Sequence, residues 1–225
     1  MPFVLAKMNV LGGLSATLAD ESAPLSGYEH VTGHMLDMGS DHFERALADH
    51  GAQVAVALIP HAIAFQLLVS ELEPGAVELD RCYPSAADME RVVRDTFAEI
   101  DPSGQMAREC WSDYAAKLEA WRESRPRFEA LLADWSRERE RLMALLMSPE
   151  EAVAILAAAG APLRFTELEP PVTEEEGRWA FEHAHLMRKR FSAGDLYYLL
   201  GWLDRGFADR VFARRDELVS AAEGI

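Results

Sequence analysis

The sequence predicts an all-α helical bundle, and three observations carry that prediction. Apolar residues recur at helical spacing along most of the 225-residue chain. No run of alternating β-branched residues bounded by a tight hairpin turn is present. Helix-start signals are frequent: Ser26 with Glu29, Ser148 with Pro149 and Glu151, and Thr173 with Glu176 each have the spacing of a capping box. In that motif a hydroxyl accepts from an early backbone N–H and the acid returns to the N-cap N–H.

A first helix is expected over residues 2–19 and a second over 27–38, opened by the Ser26–Glu29 pair. The third, 50–72, is apolar on all faces, as a helix buried inside a bundle would be. Its stretch GAQVAVALIPHAIAFQLLVS carries no charged residue and is about as long as a membrane span. Gln53, Pro60, His61 and Gln66 interrupt it, Asp49 and Glu71 flank it, and no basic cluster marks a cytoplasmic side, so a soluble core helix is the expectation. Helices over 86–98 and 102–122 follow from Ser85 and from Asp101-Pro102, since proline at a first helical position loses nothing by lacking its N–H. Over 126–147, Phe128, Leu131, Leu132, Trp135, Leu142, Leu145 and Leu146 recur at helical spacing with Arg and Glu between them, an amphipathic packing helix. The next, 149–159, stops at Gly160, followed by Pro162. Helices over 173–190, 193–203 and 207–222 complete a single helical domain, with longer connections at 73–83 and 161–172.

Composition narrows the functional classes. With 49% hydrophobic residues the chain can bury a substantial core. Its 22 Lys and Arg against 38 Asp and Glu give a net charge of −16, a surface repelled by phosphate backbones and anionic lipid heads. Neither nucleic acid nor a membrane is an expected partner. Cys82 and Cys110 lack CxxC spacing and the density of a disulfide scaffold, which fits a reducing, cytoplasmic setting. The opening residues show no basic region ahead of an apolar one, so no signal peptide is expected. GxGxxG, Walker A, HExxH, paired CxxC and GxSxG motifs are all missing, and neither cysteine has a base nearby in sequence.

The seven histidines are the chemistry-bearing residues that stand out. His30 and His34, at i and i+4, share one helix face a single turn apart. Such a pair can ligate a transition metal or flank a substrate; it can equally be a surface pair or a hydrogen-bonded core pair. His50 heads the apolar helix and is followed by Gly51, which would let another group approach closely. Glu29 could act as an acid, but helix capping accounts for it. His183 and His185 are two apart on an expected helix and point away from each other. His42 and His61 read as a loop residue and a buried, hydrogen-bonded imidazole.

The segments SAPLSGYEHVTGHMLDM and HGAQVAVALIPHA resemble the metal-binding stretch of the sn-glycerol-1-phosphate dehydrogenase family, within the iron-containing alcohol dehydrogenase and dehydroquinate synthase-like group. In that family a Ser-Gly-x-Glu-His-x-x-x-His segment precedes a helix opening His-Gly-Glu-Gln-Val. HAHLMRKRFSAGDLYYLLGWL is similar to the family's C-terminal segment, and the resemblance spans about residues 11–203. It implies an oxidoreductase that interconverts dihydroxyacetone phosphate and glycerol 1-phosphate with NAD(P), at a cleft between a nucleotide-binding α/β domain and a helical domain. His30 and His50 would be two of three ligands to a divalent metal, zinc first, with iron or nickel as alternatives. His34 would take the catalytic position beside the substrate and the nicotinamide. The third family ligand, an Asp, belongs to the nucleotide-binding domain, which is expected to be absent here. Ala52 stands where the family has Glu, and Gly33 where it has Ser.

The resemblance therefore implies the helical half of the enzyme: a truncated product, a chain started late, or a split enzyme whose nucleotide-binding half is a separate polypeptide. The isolated chain is expected to be inactive. A rival expectation is a non-catalytic helical interaction module that kept the fold and pairs with itself or with a partner across its bare face.

Overall fold

In the computed structural model residues 26–203 and 205–224 are described, so the helix expected over 2–19 falls outside the described residues. Those residues form ten α-helices and no strand, the all-α class that the sequence predicts, with one expected helix divided in two. They are α1 (Tyr28–Gly39), α2 (His50–Glu71), α3 (Ala86–Ala98), α4 (Gln105–Glu123), α5 (Arg125–Ala133), α6 (Trp135–Leu145), α7 (Pro149–Ala159), α8 (Glu174–His183), α9 (Ala193–Leu199) and α10 (Arg205–Ala222). Single 3-10 turns at Pro74–Ala76, Leu79–Cys82, Phe165–Glu167 and Ala184–Leu186 punctuate the connections.

Local signals set most helix ends. Both later capping boxes form, Ser148 with Glu151 and Thr173 with Glu176, each with its two reciprocal hydrogen bonds. Ser85 accepts from the Asp88 N–H, and Gly160, at φ 67°, closes α7 in the left-handed conformation that glycine adopts without strain. The Ser26–Glu29 box does not form. The N-cap is Gly27, with no side-chain cap, which leaves Glu29 one position too early to reach back. Ser26 instead accepts from the Arg190 guanidinium at its carbonyl and hydroxyl oxygens, at 2.8 and 2.9 Å.

Other boundaries differ from those expected. The helix expected from residue 102 begins at Gln105, because the Asp101 carboxylate takes the Ser103 and Met106 N–H groups in a turn of its own, at 2.9 and 2.8 Å. The expected 126–147 helix divides at Asp134 (φ −106°, ψ 25°), where no glycine or proline marks a break. The 173–190 helix stops at His183. Lys117 Nζ donates to the His185 and Met187 carbonyls, the second at 3.3 Å, and removes them from any helical ladder. At the other end of the chain, α9 stops at Leu199 rather than 203, and α10 starts at Arg205 rather than 207.

The long apolar helix α2 is the centre of the bundle, with α1, α6, α7 and α10 packed on it. Val56, Ile59, Ile63 and Leu68 are wholly enclosed, while Leu58, Ala62 and Phe65 are only half-buried, so one stripe of the helix is less covered than its composition predicts. By length and apolarity alone α2 could cross a membrane, as could the span Trp135–Ala159. The latter is two helices interrupted at 146–148.

Polar groups tie α1 to this core. Thr32, wholly buried, donates its hydroxyl proton to the Tyr28 carbonyl (3.1 Å), so it must accept from His61 Nε2 (2.8 Å). The His61 ring lies against Tyr28 and Phe181, with centroids 4.4 and 5.0 Å away. Tyr28 in turn donates to the Phe181 carbonyl at 2.6 Å. Gly194 makes room for the tyrosine: a Cβ there would lie 2.1 Å from Tyr28 Cζ. Two buried ion pairs join distant segments, Lys117 with Asp195 at 2.7 Å and Arg45 with Glu176 at 3.2 Å. Removing one partner from such a pair leaves a buried charge uncompensated, at a cost of about 3–5 kcal/mol.

Burial drives the His61 pKa down to about 3. Its imidazole is therefore neutral in the fold and protonated in the unfolded chain below about pH 6.5, so stability is complete above that pH and is lost as pH falls toward the folded value. Between pH 6 and 4.5, His61→Gln is expected to flatten the fall of unfolding free energy by about 1.4 kcal/mol per pH unit, measured by urea denaturation. An unchanged slope would contradict this. Gly194→Ala is expected to lose about 1–3 kcal/mol by overpacking. Gly75→Ala, whose Cβ would meet nothing within 4 Å, is the neutral control.

Candidate metal centre

Two helices build the centre. The face of α1 that carries His30 and His34 meets the first turn of α2, which begins at His50. The Asp49 carboxylate caps that turn by accepting from the Ala52 N–H at 2.9 Å, which fixes where the His50 backbone lies. Gly33 sets the approach: a Cβ there would lie 3.3 Å from His50 Cε1, within contact distance of a ring with little room to spare.

As a result the structure brings together all three histidines singled out in the sequence. Ring centroids are 4.9 Å apart for His30 and His34, 4.8 Å for His30 and His50, and 4.7 Å for His34 and His50. One nitrogen from each ring lies within 4.8 Å of the other two. The tightest approach is between the Nε2 atoms of His30 and His50, at 3.2 Å. Two nitrogens bound to one tetrahedral zinc at about 2.0–2.1 Å would stand about 3.3 Å apart, so this pair already has the spacing of a shared ion. The cluster could hold a metal ion.

Electrostatics keep ligand lone pairs available. Burial lowers the His30 pKa, with His50 adding to the effect and Glu29 opposing it. Burial also lowers that of His34, followed by the Arg188 charge and the other two imidazoles. Both groups are therefore neutral at pH 7, the form that binds metals. Beside the cluster an open groove of about 580 Å³ is lined by His34, Asp37, Met38, Asp41, Cys110 and Arg188, among others.

Sequence reasoning missed three contributors. Asp37 Oδ2 is 3.6 Å from His50 Nδ1, and Gln53 Nε2 donates to Asp37 Oδ1 at 2.8 Å. Asp37 lies three residues after His34 and Gln53 three after His50, so helical spacing alone could have placed both beside the cluster. Arg188 gave no such signal; it reaches the site through a left-handed backbone (φ 64°) in the segment after α8. His183 and His185 stand apart from the centre: their Nδ1 atoms contact the Trp179 and Glu182 carbonyls at 2.8 and 3.0 Å. His42 is in a loop and His61 is buried and hydrogen-bonded, as expected. Cys82 and Cys110 are buried free thiols, and burial with nearby Asp113 and Glu109 pushes Cys110 up to about 12, far from a thiolate at pH 7.

Comparison with protein-family models, curated proteins and solved structures finds no match.

The charge order around His34 makes Arg188 testable. Arg188→Gln removes a positive charge that opposes imidazolium, so the His34 titration midpoint, which lies below 6.5, is expected to rise more than that of His30. Proton NMR titration of the two ring C–H signals reads this directly. A His34 midpoint that stays fixed would remove Arg188 from the site's electrostatics.

Proposed function

We propose that this chain is the metal-binding helical part of a metal-dependent, NAD(P)-linked oxidoreductase resembling sn-glycerol-1-phosphate dehydrogenase, acting on a polyol phosphate. The observation that carries the reading is the 3.2 Å approach of the His30 and His50 Nε2 atoms, with His34 beside them at the edge of an open groove. His30 and His50 would hold the ion, zinc in the first instance. When bound, a divalent ion polarises a substrate carbonyl oxygen or lowers the pKa of an alcohol. Neutral His34, facing the groove, would hydrogen-bond the substrate oxygen and exchange a proton with it. We place the nicotinamide on a nucleotide-binding half outside the described residues, supplied in cis or by a separate polypeptide, and a third, carboxylate ligand with it. Two or three imidazoles without that carboxylate make a weak site.

Isothermal titration of the purified chain is expected to show one zinc or nickel ion bound per chain and lost on dialysis. His30→Ala and His50→Ala should each weaken binding at least about tenfold. NADH and NADPH are expected to remain unoxidised in the presence of dihydroxyacetone phosphate. Equal zinc affinity in the His30→Ala, His50→Ala double variant would sink the metal reading; turnover by this chain alone would overturn its dependence on a second half.

A second reading, a helical interaction module, is favoured by one observation. Leu145 (84% exposed), Ile155 (55%), Met147 (46%) and Met143 (44%) leave apolar side chains uncovered along α6, α7 and the link between them. Such an apolar surface suits a partner or a second copy of the chain. Sedimentation of wild type against Leu145→Lys separates the two readings: a dimer abolished by the substitution, with no zinc bound, would favour the module.

A further inference from the structure

The His50 imidazole has two working faces, and the residues around it treat them differently. Its Nε2 is turned toward His30 Nε2 at 3.2 Å; its Nδ1 is turned toward Asp37 Oδ2 at 3.6 Å. The carboxylate is itself held, because Gln53 Nε2 donates to its other oxygen at 2.8 Å. Gln53 is wholly buried against the packed face of α1, so its amide is a fixed donor rather than a mobile surface group. Asp37 thus lies on the same stripe of α1 as His30 and His34, but on the far side of the His50 ring from the cluster.

We infer that Asp37 is the positioning residue of the centre: its carboxylate keeps the His50 proton on Nδ1, so that the Nε2 lone pair always points into the histidine cluster. The inference rests on the metal-binding reading of that cluster. A neutral imidazole carries one proton and two candidate nitrogens, and what faces Nδ1 decides which is protonated. At 3.6 Å the carboxylate lies just beyond hydrogen-bond length, but an acceptor-only anion on that side favours the Nδ1–H tautomer electrostatically. With Nδ1–H directed at Asp37, His50 Nε2 becomes the acceptor in the contact with His30, and His30 supplies the donor by carrying its own proton on Nε2. With a cation held there, His30 would carry its proton on Nδ1 instead and present the Nε2 lone pair. His50 needs no rearrangement. The negative charge of Asp37 also makes the ring a stronger donor to a cation and offsets part of the charge that Arg188 adds beside the cluster. Facing Nδ1, Asp37 orients a ligand and is not one itself.

The first experiment uses the native chain without added metal. Nitrogen-15 chemical shifts of the His50 ring are expected to show the Nδ1–H tautomer. An Nε2–H tautomer would overturn the inference whether or not the protein binds metal. The second compares zinc and cobalt affinity in Asp37→Asn and Asp37→Glu. Asn keeps an acceptor for Gln53, removes the anion and turns its amide N–H toward His50 Nδ1; affinity is expected to fall about 10- to 100-fold, with unchanged helical circular dichroism and the His50 proton shifted to Nε2. Asp37→Glu restores the anion and is expected to recover most of the loss and the wild-type cobalt spectrum. Wild-type affinity in Asp37→Asn would overturn the inference while leaving the metal reading intact. If wild type binds no metal, the metal reading fails, and the tautomer measurement still decides whether Asp37 orients His50.

Discussion

The packing of α1 against the first turn of α2 is the constraint on which the centre depends. Here Gly33 presents no side chain to the first turn of α2, and Thr32 beside it spends its hydroxyl on both helices at once, donating within α1 and accepting from His61 of α2. The glycine leaves room for the His50 ring against α1, and the buried hydrogen bond ties the two helices together. His30 and His34 project from the α1 side of that contact and His50 from the α2 side, so three imidazoles on two segments 20 residues apart in sequence converge to within 4.8 Å. Glycine lowers the helix propensity of α1 at this position by about 1 kcal/mol relative to alanine. The close contact with α2 is what that loss permits.

A second arrangement fixes the opposite wall of the groove. Lys117 of α4 is almost wholly enclosed, paired with Asp195 at the start of α9 and donating to two carbonyls of the segment after α8. Asp195 also accepts from the Ser192 N–H and hydroxyl, both at 2.7 Å, so one carboxylate caps α9 and neutralises the lysine. Burial pushes Lys117 down and Asp195 up, and each opposes the shift of the other. The pair converts a helix that its sequence would have continued into a turn that delivers Arg188 to the histidines. Buried charge at this junction therefore specifies a chain path more than it adds stability.

Legibility followed the range of the forces involved. The boxes at Ser148 and Thr173, the stop at Gly160 and the apolar run of α2 are decided within a turn or two of chain, and each was readable. The Ser26–Glu29 pair has the same spacing and does not form a box, because Arg190, distant in sequence, takes Ser26 and the N-cap passes to Gly27. The early end of α8 likewise answers to Lys117, which no local pattern encodes. At the centre, the i, i+4 relation of His30 and His34 was plain, and Asp37 and Gln53 were open to the same helical arithmetic. Arg188 was not, since its side chain arrives through a left-handed residue in a connecting segment.

By itself the sequence determined the helical class, most helix starts and the shared face of His30 and His34, because periodicity and capping act between residues a few positions apart. The family resemblance expected His50 to join them; the tertiary structure brought it there and set Asp37 behind it. It alone also set Lys117 against Asp195 and turned Arg188 toward the groove. Those relations hold between segments that the chain brings together only after a core has formed, through contacts a glycine permits and a buried charge enforces.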